Sequence, residues 1–290
     1  MTVPAASTPD ISLNTGASLP RLGLGVWQAT DDEVELAVAV ALDAGYRLID
    51  TAAAYRNERG VGRGLAATGR ARDDVFVTTK LWNQDRGRTE PLAAIDRSLE
   101  RLGLEYVDLY LVHWPGGDRR ERIDTWQAME EIAATGKARA IGVCNFAPHH
   151  LQDILDTGGI VPAVNQIELH PHLPQWVTRA FDADHGIVTQ SWSPLGGTSN
   201  SGWGGASKPN TLLSDPVIAQ IADELGVAPA QVLIRWHLQN GLSVIPKSTD
   251  ADRIRQNADV VGFALSGAQI EQIAALENGE RVGFDPDDFV

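Results

Sequence analysis

The chain is poor in cysteine, in methionine and in basic charge, and it has no long apolar run. Among 290 residues there are 1 cysteine and 2 methionines. With Cys144 alone no disulfide can close within the chain, and nothing implies an oxidising compartment, so a reducing cytoplasm is the expected location. No apolar stretch reaches the roughly 18 residues of a membrane span, and residues 1–10 have neither the basic nor the apolar region of an export signal. A soluble protein without membrane association is expected. Lys+Arg of 24 against Asp+Glu of 38 leaves a formal net charge of -14, which repels nucleic acid and anionic surfaces. Any phosphate site has to be a local cluster of cations.

What is present is core-forming sequence: 43% of residues are hydrophobic, in a chain whose length suits one α/β barrel of about 250 residues. After an N-terminal β-hairpin over 11–20, short β-branched runs at 22–27, 47–50, 75–80, 107–113, 138–145, 163–166, 187–192 and 242–247 alternate with segments of helical period. That alternation predicts a parallel sheet closed as a (β/α)8 TIM barrel, an α/β fold with residues 1–290 as a single domain.

The helices carry their own punctuation. Thr30 and Glu33 form a capping box before the stripe Val34, Val38, Ala41 and Leu42, which Gly45 ends. Asp215 before Pro216 opens the stripe Val217, Ile218, Ile221 and Leu225, closed by Gly226, and Ser266 with Gln269 repeats the box before Ile270 and Ile273. Gly60, Gly62 and Gly64 have the wrong spacing for a dinucleotide fingerprint and fall in a helical pattern. The Gly/Ser-rich stretch 196–210, with Trp203, reads as a mobile loop over the barrel mouth, and the polar tail 278–290 as a surface wrap.

In such a barrel the chemistry lies at the carboxyl ends of the strands. The successive runs end in Asp50, Lys80, His113, Asn145, Gln166 and Lys247. Singly, each has a bland reading, such as a turn cap, a surface lysine or a packed turn histidine. Together, at successive strand ends, they read as a site. A metal-dependent hydrolase or isomerase, suggested by His149-His150 or His170-Pro171-His172, finds no recurring carboxylate-histidine set, so no metal is expected. A glycosidase needs two carboxyl groups about 5 to 9.5 Å apart, and Asp50 has no evident partner.

Across nearly the whole chain the sequence resembles the aldo-keto reductase family, in the branch of bacterial 2,5-diketo-gluconate reductases. The resemblance rests on Gly45-Tyr46-Arg47-Leu48-Ile49-Asp50-Thr51-Ala52, Tyr55 with Asn57-Glu58, Thr79-Lys80-Leu81-Trp82 and Asp108-Leu109-Tyr110-Leu111-Val112-His113-Trp114-Pro115. It continues through Ile141-Gly142-Val143, Asn165-Gln166-Ile167-Glu168-Leu169-His170-Pro171, Trp192-Ser193-Pro194-Leu195-Gly196 and Ile245-Pro246-Lys247-Ser248.

The resemblance implies NADPH-dependent reduction of a small aldehyde or ketone, keto-sugar acids and 2-keto esters included, with NADH a weaker cofactor. It implies a catalytic tetrad of Tyr55 as general acid with Asp50, Lys80 and His113. Asn145 and Gln166 would hold the nicotinamide carboxamide, Trp192 would stack on its ring, and Ser193, Leu195 and Gly197 would add cofactor contacts. Lys247, Ser248, Arg253, Gln256 and Asn257 match the segment for the adenosine 2′-phosphate, with Asp250 an acid in its midst, and Cys144 stands where most relatives have serine. Trp27, Trp82 and Trp114 would wall the substrate pocket, while Trp126 and Trp236 lie in helical patterns as core. A monomer with no obligate protein partner is expected. An intact tetrad disfavours the non-enzymatic alternative, a cofactor-binding sensor.

The chemistry needs help for its acid, because free tyrosine has a pKa near about 10. Lys80 at about 4 Å, with an effective dielectric of about 20, would favour tyrosinate by about 4 kcal/mol, or about three pK units, before burial opposes it. Asp50 would keep that lysine charged, and His113 would orient the substrate oxygen.

Overall fold

The computed structural model describes residues 9–197 and 211–289. Trp203 and most of the predicted mouth loop lie outside those residues. A hairpin of β1 (Ile11–Ser12) and β2 (Ser18–Leu19) precedes the barrel strands β3 (Gly23–Gly25), β4 (Leu48–Asp50), β5 (Phe76–Leu81), β6 (Val107–Val112), β7 (Ala138–Cys144), β8 (Val164–Glu168), β9 (Val188–Trp192) and β10 (Ser243–Val244). All barrel neighbours pair in parallel, and bridges Leu22 to Val244 and Gly25 to Lys247 close the ring. The expected (β/α)8 barrel with its N-terminal hairpin is the fold observed.

Around it run α1 (Asp31–Asp43), α2 (Glu58–Thr68), α3 (Glu90–Leu102), α4 (Arg119–Thr135), α5 (Pro148–Leu155), α6 (Trp176–Asp184), α7 (Pro216–Leu225), α8 (Pro229–Gln239), α9 (Ala251–Ala258) and α10 (Gly267–Ala274). Their ends follow local chemistry. Thr30 and Glu33 exchange both bonds of the capping box on α1, Asp215 caps α7, and Ser266 with Gln269 caps α10. The three glycines of the false fingerprint lie inside α2, where close packing requires them. A Cβ at Gly60 would sit 2.2 Å from Asp31 O, and one at Gly62 would sit 2.3 Å from Leu102 O. No single helix among the described residues is long and apolar enough to cross a membrane.

The strand interiors alternate, and that alternation builds the site. Leu48, Leu109, Ala140 and Val164 fill the lower barrel together with Leu13 and Leu19 of the hairpin. Two residues beyond Leu48 and Val164 the inward positions turn polar at Asp50 and Gln166, and Cys144, four residues beyond Ala140, lies abreast of Gln166. The first and last runs are shorter than predicted. Pro246 lacks an N–H for a longer β10, although its carbonyl still accepts from Gly25 N at 3.1 Å.

One buried carboxyl serves the frame alone. Asp182, at the end of α6, is fully buried and accepts from Thr189 Oγ1 at 2.8 Å and Asn165 Nδ2 at 3.2 Å. Burial pushes it up to about 7, against those hydrogen bonds. Its folded pKa exceeds the unfolded value near about 3.9, so the stability it contributes at acid pH is lost as pH rises through about 7. The loss is on the order of 4 kcal/mol. Asp182→Asn is therefore expected to flatten stability between about pH 4 and about pH 7, which urea melts across that range would check. Parallel pH curves for the two proteins would contradict it.

Candidate active site

Lys80 organises the barrel mouth. It is fully buried at the end of β5, and its three N–H donors have three partners: Asp50 Oδ1 at 2.5 Å, Thr51 O at 3.0 Å and Tyr55 Oη at 3.4 Å. Asp50 terminates β4, and a single 3-10 turn, Ala53–Tyr55, carries the phenol back over the lysine. The Tyr55 ring lies 4.7 Å from Trp27 and 5.6 Å, edge-on, from His113, centroid to centroid. His113 sits one residue beyond β6, with Trp82 at 5.3 Å.

Charge and burial compete here. Burial pushes Tyr55 above its ordinary value, and the opposing charge of Lys80 does not overcome it. The expected acidification by Lys80 is thus outweighed, because the phenol is removed from water as well as set beside a cation. Burial alone would lower the Lys80 ammonium, yet its acidic neighbours, Asp50 first and then Tyr55 and Cys144, together outweigh it and leave it raised. Burial, aided by Lys80, holds His113 well below the usual histidine range, so its imidazole is neutral, and Nδ1 has no hydrogen-bond partner among the described residues.

A second group of polar residues flanks this centre. Asn145 takes the left-handed conformation, φ +65°, just after β7; its Nδ2 donates to His113 O at 3.0 Å and its Oδ1 accepts from Trp192 Nε1 at 2.8 Å. Gln166 donates both N–H groups, to Asp50 Oδ2 and to Gln190 Oε1, each at 2.7 Å. Its Oε1 has only the Cys144 thiol, at 3.7 Å, as partner among the described residues. Ser193 is also left-handed, Leu195 packs among apolar side chains, and Gly197 lies against Val282.

The basic segment is split by exposure. Lys247, Arg253 and Gln256 are exposed at the end of the last strand run and on the first turns of α9, whereas Ser248 and Asn257 are buried. Asp250 caps α9 and accepts from Arg253 N at 2.9 Å, so its carboxylate is engaged by the helix end.

The tail does more than wrap the surface. Glu168, at the end of β8, is buried and accepts from Val282 N at 2.5 Å and Gly283 N at 2.9 Å, pinning the chain beside the mouth. Gly283 approaches so closely that a Cβ would lie 2.5 Å from Trp192 Cη2. Beyond it Phe289 packs 4.5 Å from Trp114 and 6.4 Å from Trp82, and joins the aromatic walls. Sequence reasoning missed Glu168, Gly283 and Phe289 because nothing in a polar tail says where it docks. The acid Glu168 within the quoted motif, following the apolar run of a strand, was the one available signal.

His149 and His150 meet Asp287 of the same tail at 3.1 and 3.3 Å. His150 Nδ1 accepts from Ala147 N at 3.2 Å, so the neutral ring carries its proton on Nε2 and donates it to Asp287. Burial holds His150 down to about 4. This is a hydrogen-bonded clasp on the tail, with the Nε2 lone pair a metal would need occupied by a proton.

The profile of the aldo/keto reductase family matches residues 21–278. The chain belongs to that family. It is 52% identical to an aldo-keto reductase of Mycolicibacterium smegmatis, over 97% of this chain and 98% of the relative. It is 47% identical to a methylglyoxal reductase of Escherichia coli K12, over 96% and 97%. An aldo-keto reductase of Bombyx mori, solved in complex with NADP, superposes with a TM-score of 0.88 at 37% identity, covering 98% of this chain and 96% of that one. As an aldo-keto reductase, the protein is an NADP-dependent oxidoreductase acting on carbonyl groups.

Proposed function

We propose that this aldo-keto reductase reduces a small aldehyde or ketone with NADPH, Tyr55 donating the proton. The observation that carries the reading is Lys80, fully buried and bonded at once to Asp50 and to the Tyr55 hydroxyl. Such an arrangement serves carbonyl chemistry by stabilising the phenolate once the proton has left. Because burial raises Tyr55, the phenol keeps its proton at neutral pH; an alkoxide is far more basic than a phenolate, so the transfer still runs downhill. Neutral His113 donates a hydrogen bond to the carbonyl oxygen and sets its direction.

The residues around the tetrad fit a nicotinamide. The Gln166 Oε1 and the Asn145 amide suit a carboxamide, and the half-buried Trp192 indole, tethered through its N–H, suits stacking on a flat ring. Bound there, the reduced nicotinamide would supply the hydride. Ser193, Leu195 and Gly197 follow on the same loop, and Lys247, Ser248, Arg253, Gln256 and Asn257 would hold the adenosine 2′-phosphate. Because Asp250 is engaged in capping α9, it opposes that phosphate less than a free carboxylate would.

Arg253 has no ion pair among the described residues, which leaves its guanidinium for phosphate. Arg253→Ala is expected to weaken NADPH about ten- to a hundredfold and to leave NADH almost unchanged. Titration of each cofactor by fluorescence checks this, and equal losses for both would sink the assignment.

The pocket walls of Trp27, Trp82, Trp114 and Phe289 favour compact carbonyls, with 2-keto esters and keto-sugar acids in the range. Initial rates of NADPH oxidation with methylglyoxal, a nitrobenzaldehyde, a 2-keto ester and a keto-gluconate, ranked by kcat/KM, test the reading. Binding of NADPH without turnover of any of them would favour a sensor.

A further inference from the structure

Two buried neutral side chains, Gln190 and Ser243, serve none of these roles. The parallel register sets Gln166, Gln190 and Ser243 abreast on β8, β9 and β10. Gln190 and Ser243 are fully buried. The Ser243 hydroxyl donates to Pro20 O at 3.1 Å, and Gln190 Nε2 donates to Ser243 Oγ at 2.9 Å. Gln190 Oε1 accepts one N–H of Gln166, whose other N–H goes to Asp50 Oδ2.

Each link dictates the next. The Pro20 carbonyl can only accept, so Ser243 commits its proton there and turns a lone pair to Gln190. Gln190 must then offer N–H to Ser243 and oxygen to Gln166. A flipped Gln166 would set its own oxygen against the Gln190 oxygen and the Asp50 carboxylate, so its amide has one orientation.

We infer that Gln190 is a positioning residue for carbonyl reduction: it turns Gln166 so that an N–H meets Asp50 and Oε1 is offered to the nicotinamide carboxamide. This rests on the function proposed above. Gln190 touches neither Tyr55 nor Lys80; it acts through the oxygen of Asp50 that Lys80 does not use. The titratable groups around it are Asp50 and Lys80 across the barrel with Tyr55 above them, Cys144 beside Gln166 on β7, and Asp182 of α6 behind Thr189 of its own strand.

Two substitutions test it. Gln190→Met keeps the volume and removes both bonds. Gln190→Glu copies both bonds when its carboxyl is protonated, but once ionised it loses the donor to Ser243 and sets a second negative charge near Asp50. With methylglyoxal and NADPH, Gln190→Met is expected to lower kcat about tenfold or more across pH 5.5 to 9 with KM for the carbonyl little changed, on the scale of a hydrogen bond to a charged group. Gln190→Glu is expected near the wild-type rate at the acid end, with a new fall towards neutral pH that the wild type lacks. NADP⁺ affinity, read by tryptophan fluorescence, should weaken in Gln190→Met and, above that fall, in Gln190→Glu.

Wild-type kcat, pH profile and NADP⁺ affinity in both variants would overturn the inference, as would an equal loss at every pH in Gln190→Glu. If Gln190→Met does not fold, the pH dependence of Gln190→Glu decides. If the wild type reduces no carbonyl, the proposed function fails, and the two NADP⁺ affinities still decide whether Gln190 orients Gln166.

Discussion

Replacing Tyr55 with phenylalanine is expected to lower kcat for carbonyl reduction about 10² to 10⁴-fold, the range for loss of a positioned general acid. The substitution keeps the ring, its contact with Trp27 at 4.7 Å and the Lys80 ammonium 5.1 Å from its centroid, and removes only the hydroxyl. Cofactor affinity and melting temperature should therefore hardly move. The loss belongs to chemistry because hydride delivery without a proton leaves an alkoxide in a buried site, where an unpaired charge is costly. Single-turnover rates with NADPH, beside a cofactor titration, separate the two effects. Near wild-type turnover would make His113 the proton donor and require the tetrad roles to be reassigned.

Replacing Lys80 with methionine is expected to depress kcat by a similar factor for a different reason. The phenol keeps its proton but loses the cation that stabilises the phenolate left behind. Asp50, 2% exposed, also loses its counter-charge, at a cost of about 3 to 5 kcal/mol in stability. Burial already pushes the Asp50 carboxyl up, and without Lys80 it should take up a proton more readily. The sign follows: in the variant the folded carboxyl has the higher pKa, so the stability deficit should shrink as pH falls and grow as pH rises. Tyr55→Phe should show no such dependence. In the double variant the two losses of kcat should not add, since both disable one proton transfer. Additive losses would mean that Lys80 acts on a step that does not involve Tyr55.

The elements legible in the sequence were those set by neighbours along the chain. The capping boxes at Thr30 and Ser266 and the Asp215 cap act over a few residues, and each was read before the fold and found in place. The barrel followed from the alternation of runs, and the polar strand ends gave Asp50, Lys80, His113, Asn145 and Gln166 together, because a parallel barrel brings successive carboxyl ends to one rim.

Tertiary structure alone decided three things. The tail could not be placed from its composition, since Glu168 grips Val282 across 114 residues of chain. The orientation of Gln166 depends on Asp50, 116 residues away, and on Gln190 on the next strand, and no local pattern encodes such a pairing. The balance at Tyr55 could not be weighed from the sequence, because the family resemblance sets Lys80 beside the phenol but does not say how much water remains. The resemblance implies the Lys80 adjacency, whereas the burial that outweighs it exists only once the barrel has closed.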